Sequence, residues 1–128
     1  MTRILLVEDN EDVLYLLRLQ LEWIGYIVEG ATSAKAALAS AQSAHPDVIV
    51  SDLRMPDVDG IEFMRRVRRI PSLASVPAIA LTGASMGSDI QMALANGFTT
   101  HLTKPVEASE LSKAIDQLTA CRLYRKAG

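Results

Sequence analysis

The sequence predicts an α/β fold in which helices cover both faces of a five-stranded parallel sheet. Two observations carry that expectation: short apolar runs rich in Val, Ile and Leu recur along the chain, and longer stretches with helical spacing separate them. A third sharpens it. Polar or acidic residues follow the apolar runs at one relative position, as they do where strands end at a common edge.

Strands are expected at 3–8, 26–30, 47–52, 78–82 and 99–102. A helix at 11–23 would set Val13, Leu14, Leu17, Leu21 and Ile24 along one face, and Gly25 can end it. The next begins near Ser33, a suitable N-cap, and buries Ala37, Leu38 and Ala41. A third at 61–70 turns Met64 and Val67 inward and leaves Arg65, Arg66, Arg68 and Arg69 mostly outward as a solvated face. The fourth, at 86–96, is built from small or polar residues with Gly87 near its start, so weak packing and the greatest tendency to move are expected there. The last, at 107–120, directs Leu111, Ile115 and Leu118 at the sheet.

Composition bounds the function. A chain of 128 residues with 49% hydrophobic and 22% charged residues is that of one soluble globular domain. A net charge of -2 and a pI near 5.6 remove the basic surface that nucleic-acid binding needs, so no direct DNA binding is expected. The lone Cys121 has no internal disulfide partner and no companion for a thiolate metal site, which fits a reducing, cytoplasmic setting. The apolar start meets Glu8 and Asp9 too soon for a membrane span or a signal segment.

The chemistry collects at the expected strand ends. Glu8 and Asp9 close the first strand, Asp52 the third and Thr82 the fourth, while Lys104 lies just past the fifth. Singly, each has an ordinary explanation as a cap, a turn residue or a surface charge. Together they bring three carboxylates, a hydroxyl and an ammonium into one cleft. Two unit charges ~4 Å apart repel by about 4 kcal/mol at an effective dielectric near 20, so the acids need compensation. An oxygen-rich site with few protein ligands and room for water and phosphate suits Mg²⁺. A carboxylate can then act as a nucleophile toward phosphorus, with Asp52 best placed for it, Lys104 serving one phosphoryl oxygen and Thr82 another.

Val7-Glu8-Asp9-Asn10, the run Asp52-Leu53-Arg54-Met55-Pro56-Asp57-Val58-Asp59-Gly60, Leu81-Thr82-Gly83-Ala84 and Lys104-Pro105 together resemble the signatures of response regulator receiver domains. The likeness spans nearly the whole chain, with 1–121 as the receiver domain and 122–128 as a short C-terminal tail. It implies a doubly wound, flavodoxin-like sheet of order 2-1-3-4-5, as in chemotaxis receivers. It also implies that Asp52 is the phosphoacceptor and that Asp9, Asp52 and the Arg54 backbone carbonyl bind Mg²⁺, with Glu8 helping through water. Thr82 and Lys104 take phosphoryl-binding roles, and Pro105 is a cis proline. The implied donor is a phosphohistidine on a histidine kinase or histidine phosphotransfer protein, and the implied output is an unknown protein partner. The stretch Gly97 to Val106 is similar to receivers attached to hybrid histidine kinases. Thr82, and the loop through Ser85, would shift on phosphorylation. His101 stands where most receivers carry Tyr or Phe, either filling that space or acting as a switch residue. Arg54 and Ala84 flank the site at positions that tune phosphoryl lifetime.

Such a chain is a switch rather than a turnover enzyme. A phosphorylation-independent interaction module of the same fold is the main alternative, although Asp9, Asp52, Thr82 and Lys104 are all in place. An aspartyl-phosphate phosphatase of the haloacid dehalogenase type would need a second acid two residues after Asp52, where this chain has Arg54. A flavin or dinucleotide binder would need a glycine-rich or hydroxyl-rich loop where the chain reads Glu8-Asp9-Asn10-Glu11-Asp12.

Overall fold

Five parallel strands form one sheet: β1 (Arg3–Val7), β2 (Ile27–Ala31), β3 (Val48–Asp52), β4 (Ala78–Thr82) and β5 (Thr100–Thr103). Their order is β2-β1-β3-β4-β5, as the resemblance implied. The computed structural model describes residues 1–83 and 87–127, with side chains described to residue 120. Ala84, Ser85 and Met86, expected beside the site and at the start of the fourth helix, lie outside the described residues, as does Gly128. Helices α1 (Glu11–Ile24), α2 (Ala34–Ala44), α3 (Gly60–Arg69), α4 (Gly87–Ala95) and α5 (Ala108–Ala127) alternate with the strands, and a short 3-10 turn at Pro71–Leu73 precedes β4.

Strand alternation splits the core into two layers. Leu5, Val7, Ile49, Ala78 and Ala80 face α2, α3 and α4, where they meet Ala37, Phe63, Met64, Val67 and Ala93. Ile4, Leu6, Val48, Val50, Ile79 and Leu81 face the other way, toward Leu17, Leu21, Leu111 and Ile115 of α1 and α5. Strands buried on both sides read as unbroken apolar runs, which is why the sequence shows them so plainly.

The helices start where short polar side chains take up their free amides. Asn10 Oδ1 accepts from the Asp12 and Val13 amides at 3.0 and 3.1 Å, Ser33 Oγ from Ala36 at 3.2 Å, and Asp59 Oδ1 from Glu62 at 2.9 Å. Gly25, at φ 124°, ends α1 as expected.

Three expectations are corrected. Val13 and Ile24 do not turn inward with Leu17 and Leu21; they are 40% and 46% exposed. Apolar side chains surround most of α1, including Tyr15, Leu16 and the almost fully exposed Trp23, while the sheet can cover only one stripe. Arg68 is not part of a solvated face. It lies one turn beyond the buried Met64, and its long stem carries the guanidinium to two loop carbonyls: Nη1 donates to Leu73 at 2.9 Å, and Nε and Nη2 to Gly97 at 3.0 and 2.6 Å. Burial holds this guanidinium somewhat below its ordinary pKa. Finally, α5 does not stop near residue 120 but continues to Ala127, so most of the expected tail is helical. Along α4, Ala93 is the buried residue, in keeping with the sparse packing expected there. Among the described residues, no helix is long and apolar enough to cross a membrane.

Candidate functional site

Register brings the site together. Val7 pairs with Ser51, so the next residues, Glu8 and Asp52, emerge side by side at the ends of β1 and β3. Thr82 pairs with Thr103, which sets Lys104 just beyond the end of β4. Each side chain is thus aimed by the last hydrogen bonds of its strand.

Glu8, Asp9 and Asp52 each offer a carboxylate oxygen within 4.8 Å of the other two. At that separation a pair of full charges repels by ~3.5 kcal/mol with an effective dielectric near 20. Two of the three acids are also out of solvent, with Glu8 2% and Asp52 7% exposed. Lys104 answers part of this charge: Nζ lies 2.5 Å from Asp52 Oδ2 and 3.3 Å from Glu8 Oε1. Burial works against the ammonium, but the hydrogen bond and charge of Asp52, followed by those of Glu8, outweigh it and raise its pKa. One cation does not neutralise three acids. Burial, followed by hydrogen bonding to Asp9 and Asp52 and the charge of Asp52, pushes Glu8 up to about 7 despite the opposing pull of Lys104. Without a further cation, the cluster holds a proton on Glu8 at mildly acidic pH.

The remaining expected residues fall around this cluster. The Arg54 amide approaches Asp52 Oδ1 at 3.5 Å, while its side chain reaches outward to Asp89 of α4 at 3.6 Å. Thr82 is buried at the end of β4, and its hydroxyl donates to the Leu102 carbonyl at 3.4 Å rather than to a carboxylate. Its backbone carbonyl accepts from the Lys104 amide at 2.7 Å. His101 pairs with Ala80 and therefore shares with Thr82 the α4 side of the sheet; its Nδ1 is buried with no hydrogen-bond partner among the described residues. The peptide bond from Lys104 to Pro105 is cis, as expected.

These residues fit a divalent metal ion. The donors are carboxylate oxygens, they converge from two strand ends, and burial together with the neighbouring acids raises the pKa of Glu8 to about 7. That is the donor set preferred by hard cations such as Mg²⁺. With these carboxylates lie an ammonium and a hydroxyl, both suited to holding an anionic group.

The family model for the response regulator receiver domain matches residues 4–116. The chain belongs to the response regulator receiver domain family. It is 45% identical over 114 residues to the uncharacterized 14.6 kDa protein of the sodA1 3′ region of Leptolyngbya boryana, covering 89% of this chain and 87% of that one. The chemotaxis response regulator CheY4 of Vibrio cholerae has a similar solved structure, with TM-score 0.86 and 34% identity over 92% of this chain and 98% of that one. So does the receiver domain of the sensor histidine kinase PA1611 of Pseudomonas aeruginosa, whose active-site cleft coordinates a magnesium ion; its TM-score is 0.86 and its identity 31%, over 93% of this chain and 98% of that one. The chain spans only 42–50% of several longer transcriptional regulators that it also matches. This receiver is accordingly a two-component signalling domain with an acidic cluster able to hold a metal ion.

One residue of the receiver's edge escaped the sequence reading. Asp57, on the loop between β3 and α3, accepts from the Ala34 and Lys35 amides at the start of α2. The Lys35 amide is the chief reason that its carboxyl titrates below the usual range. Asp57 was visible within the receiver motif, but no local spacing links it to residues 22 and 23 positions earlier.

Proposed function

We propose that Asp52 accepts a phosphoryl group from a phosphohistidine on a histidine kinase or histidine phosphotransfer protein, in a Mg²⁺-dependent reaction. The product changes the surface offered to a protein output partner. The observation that carries this reading is the Lys104 ammonium 2.5 Å from Asp52 Oδ2, set within an acid cluster that needs more positive charge.

A carboxylate oxygen of Asp52 attacks phosphorus, the P–N bond of the donor breaks, and the imidazole leaves with the electron pair and takes a proton. The product is an acyl phosphate. Bound Mg²⁺ supplies positive charge to the carboxylates and the phosphoryl oxygens. Asp9, Asp52 and the Arg54 carbonyl are its proposed ligands, with Glu8 acting through water. Lys104 exchanges a carboxylate oxygen for a phosphoryl oxygen. The Thr82 hydroxyl turns from its 3.4 Å bond with Leu102, long enough to be given up at little cost, and donates to the phosphoryl group. His101, on the same side of the sheet, fills or vacates the space that this turn changes.

The test is incubation with acetyl phosphate and Mg²⁺, followed by intact mass measurement. Wild-type protein should gain one phosphoryl group, and Asp52→Asn or removal of Mg²⁺ by a chelator should abolish the gain. If the wild type gains nothing, the chain is a phosphorylation-independent interaction module.

A further inference from the structure

The loop from β3 to α3 is fastened at three levels. Its base is closed by the Gly60 amide, which donates to the Leu53 carbonyl at 2.7 Å. Its middle is held by Met55 and Val58, which pack against the core layer beneath α2 and α3. Its outer turn is held by Asp57, whose Oδ1 accepts from the Ala34 amide at 3.1 Å and whose Oδ2 accepts from the Lys35 amide at 3.0 Å.

Topology makes the third fastening a strap. β1 lies between β2 and β3, so a bond from the loop after β3 to the helix after β2 passes across the end of β1. Glu8 and Asp9 emerge at that end. The cap of α2 is shared, because Ser33, the residue preceding the helix, takes only the Ala36 amide and leaves those of Ala34 and Lys35 to another acceptor. Asp57 takes the Ala34 and Lys35 amides from a distant loop, and that loop is the one carrying Asp52's neighbour Arg54.

We propose that Asp57 is a positioning residue for the cation site: by tying its loop to the first turn of α2, it fixes the Arg54 backbone carbonyl as an oxygen donor beside Asp9 and Asp52. The inference rests on the Mg²⁺-dependent reading given above. Asp57 acts through the loop rather than on the cation. Groups that orient metal ligands without touching the metal commonly matter to affinity about as much as this predicts.

The experiment is calorimetric Mg²⁺ titration of wild type, Asp57→Ala, Asp57→Asn and Ser33→Ala, each also melted without metal. Asp57→Ala should weaken Mg²⁺ binding about 10-fold, and Asp57→Asn, which keeps one acceptor oxygen, by no more than about 3-fold. Amide exchange through residues 53–58 should quicken in Asp57→Ala. Ser33→Ala should lower the melting temperature and leave Mg²⁺ affinity unchanged, separating a weakened helix from a loosened loop. The inference fails if Asp57→Ala binds Mg²⁺ as the wild type does, if Asn loses as much as Ala so that charge alone matters, or if Ser33→Ala weakens binding equally. In those three cases the reading of Asp52 stands. If the wild type itself does not bind Mg²⁺, that reading and the inference fall together.

Discussion

Replacing Gly60 by alanine should strike Asp52, the proposed phosphoacceptor, directly, although residue 60 carries no chemistry. A Cβ built there meets the Asp52 carbonyl oxygen at 2.5 Å and Leu53 Cα at 2.7 Å. Both obstacles are backbone, so neither can rotate away. Reopening the nearer contact to 3.0 Å requires either the start of α3 or the end of β3 to move by ~0.5 Å within a close-packed layer. Overpacking of this kind costs up to about 3 kcal/mol. The better helix propensity of alanine returns at most about 1 kcal/mol, so the clash wins by roughly 2 kcal/mol. With a urea slope near ~2 kcal/mol per molar, the unfolding midpoint should fall by about 1 M. The function should suffer as well. Since misplacement by ~1 Å can cost a reaction 100-fold, half that shift at Asp52 should slow phosphorylation by acetyl phosphate roughly 10-fold. A variant with the wild-type midpoint and the wild-type rate would show that α3 does not press on the Asp52 backbone, and the reasoning would be refuted.

Two further outcomes follow from the same geometry. Because Glu8 titrates near 7 when folded and near 4.5 in an ordinary environment, the folded state binds the extra proton between those values. Its contribution to stability is therefore fully present below about 4.5 and is lost as the pH rises through about 7. Melting the chelator-treated protein from pH 5 to pH 8 should show a decline that Glu8→Gln lacks; identical profiles would remove Glu8 as the cause. Arg68→Met should cost ~1–3 kcal/mol because the Gly97 and Leu73 carbonyls lose charged donors, whereas Arg69→Met at an exposed position should stay within about 0.5 kcal/mol in the same denaturation assay.

The fold was readable because Leu5, Leu6 and Val7, like Val48, Ile49 and Val50, are buried on both sides and leave an uninterrupted apolar signal. The acid cluster was readable for a related reason: Glu8, Asp9 and Asp52 follow such runs at once, and parallel strands end at one edge. What was hidden depended on contacts between distant segments. Helical spacing sets Arg68 one turn beyond Met64, at the edge of the buried face, but that its guanidinium finds acceptors there is decided by where the carbonyl of Gly97, 29 residues later, lies. The phase of α1 was ambiguous because Leu16, Leu19 and Trp23 make an apolar face of their own beside that of Leu17 and Leu21. The extension of α5 was missed because the apolar spacing followed in the sequence was that of Leu111, Ile115 and Leu118, while the helix runs on to Ala127.

The 2.7 Å bond from the Lys104 amide to the Thr82 carbonyl couples two strand tips through the main chain. Backbone at the end of β4 cannot be drawn toward Asp52 without pulling on the peptide that anchors the lysine, and a tug on the lysine is felt in return by the threonine. Two grips proposed for one phosphoryl group are thereby yoked to a common beam, so they advance or retreat as a pair.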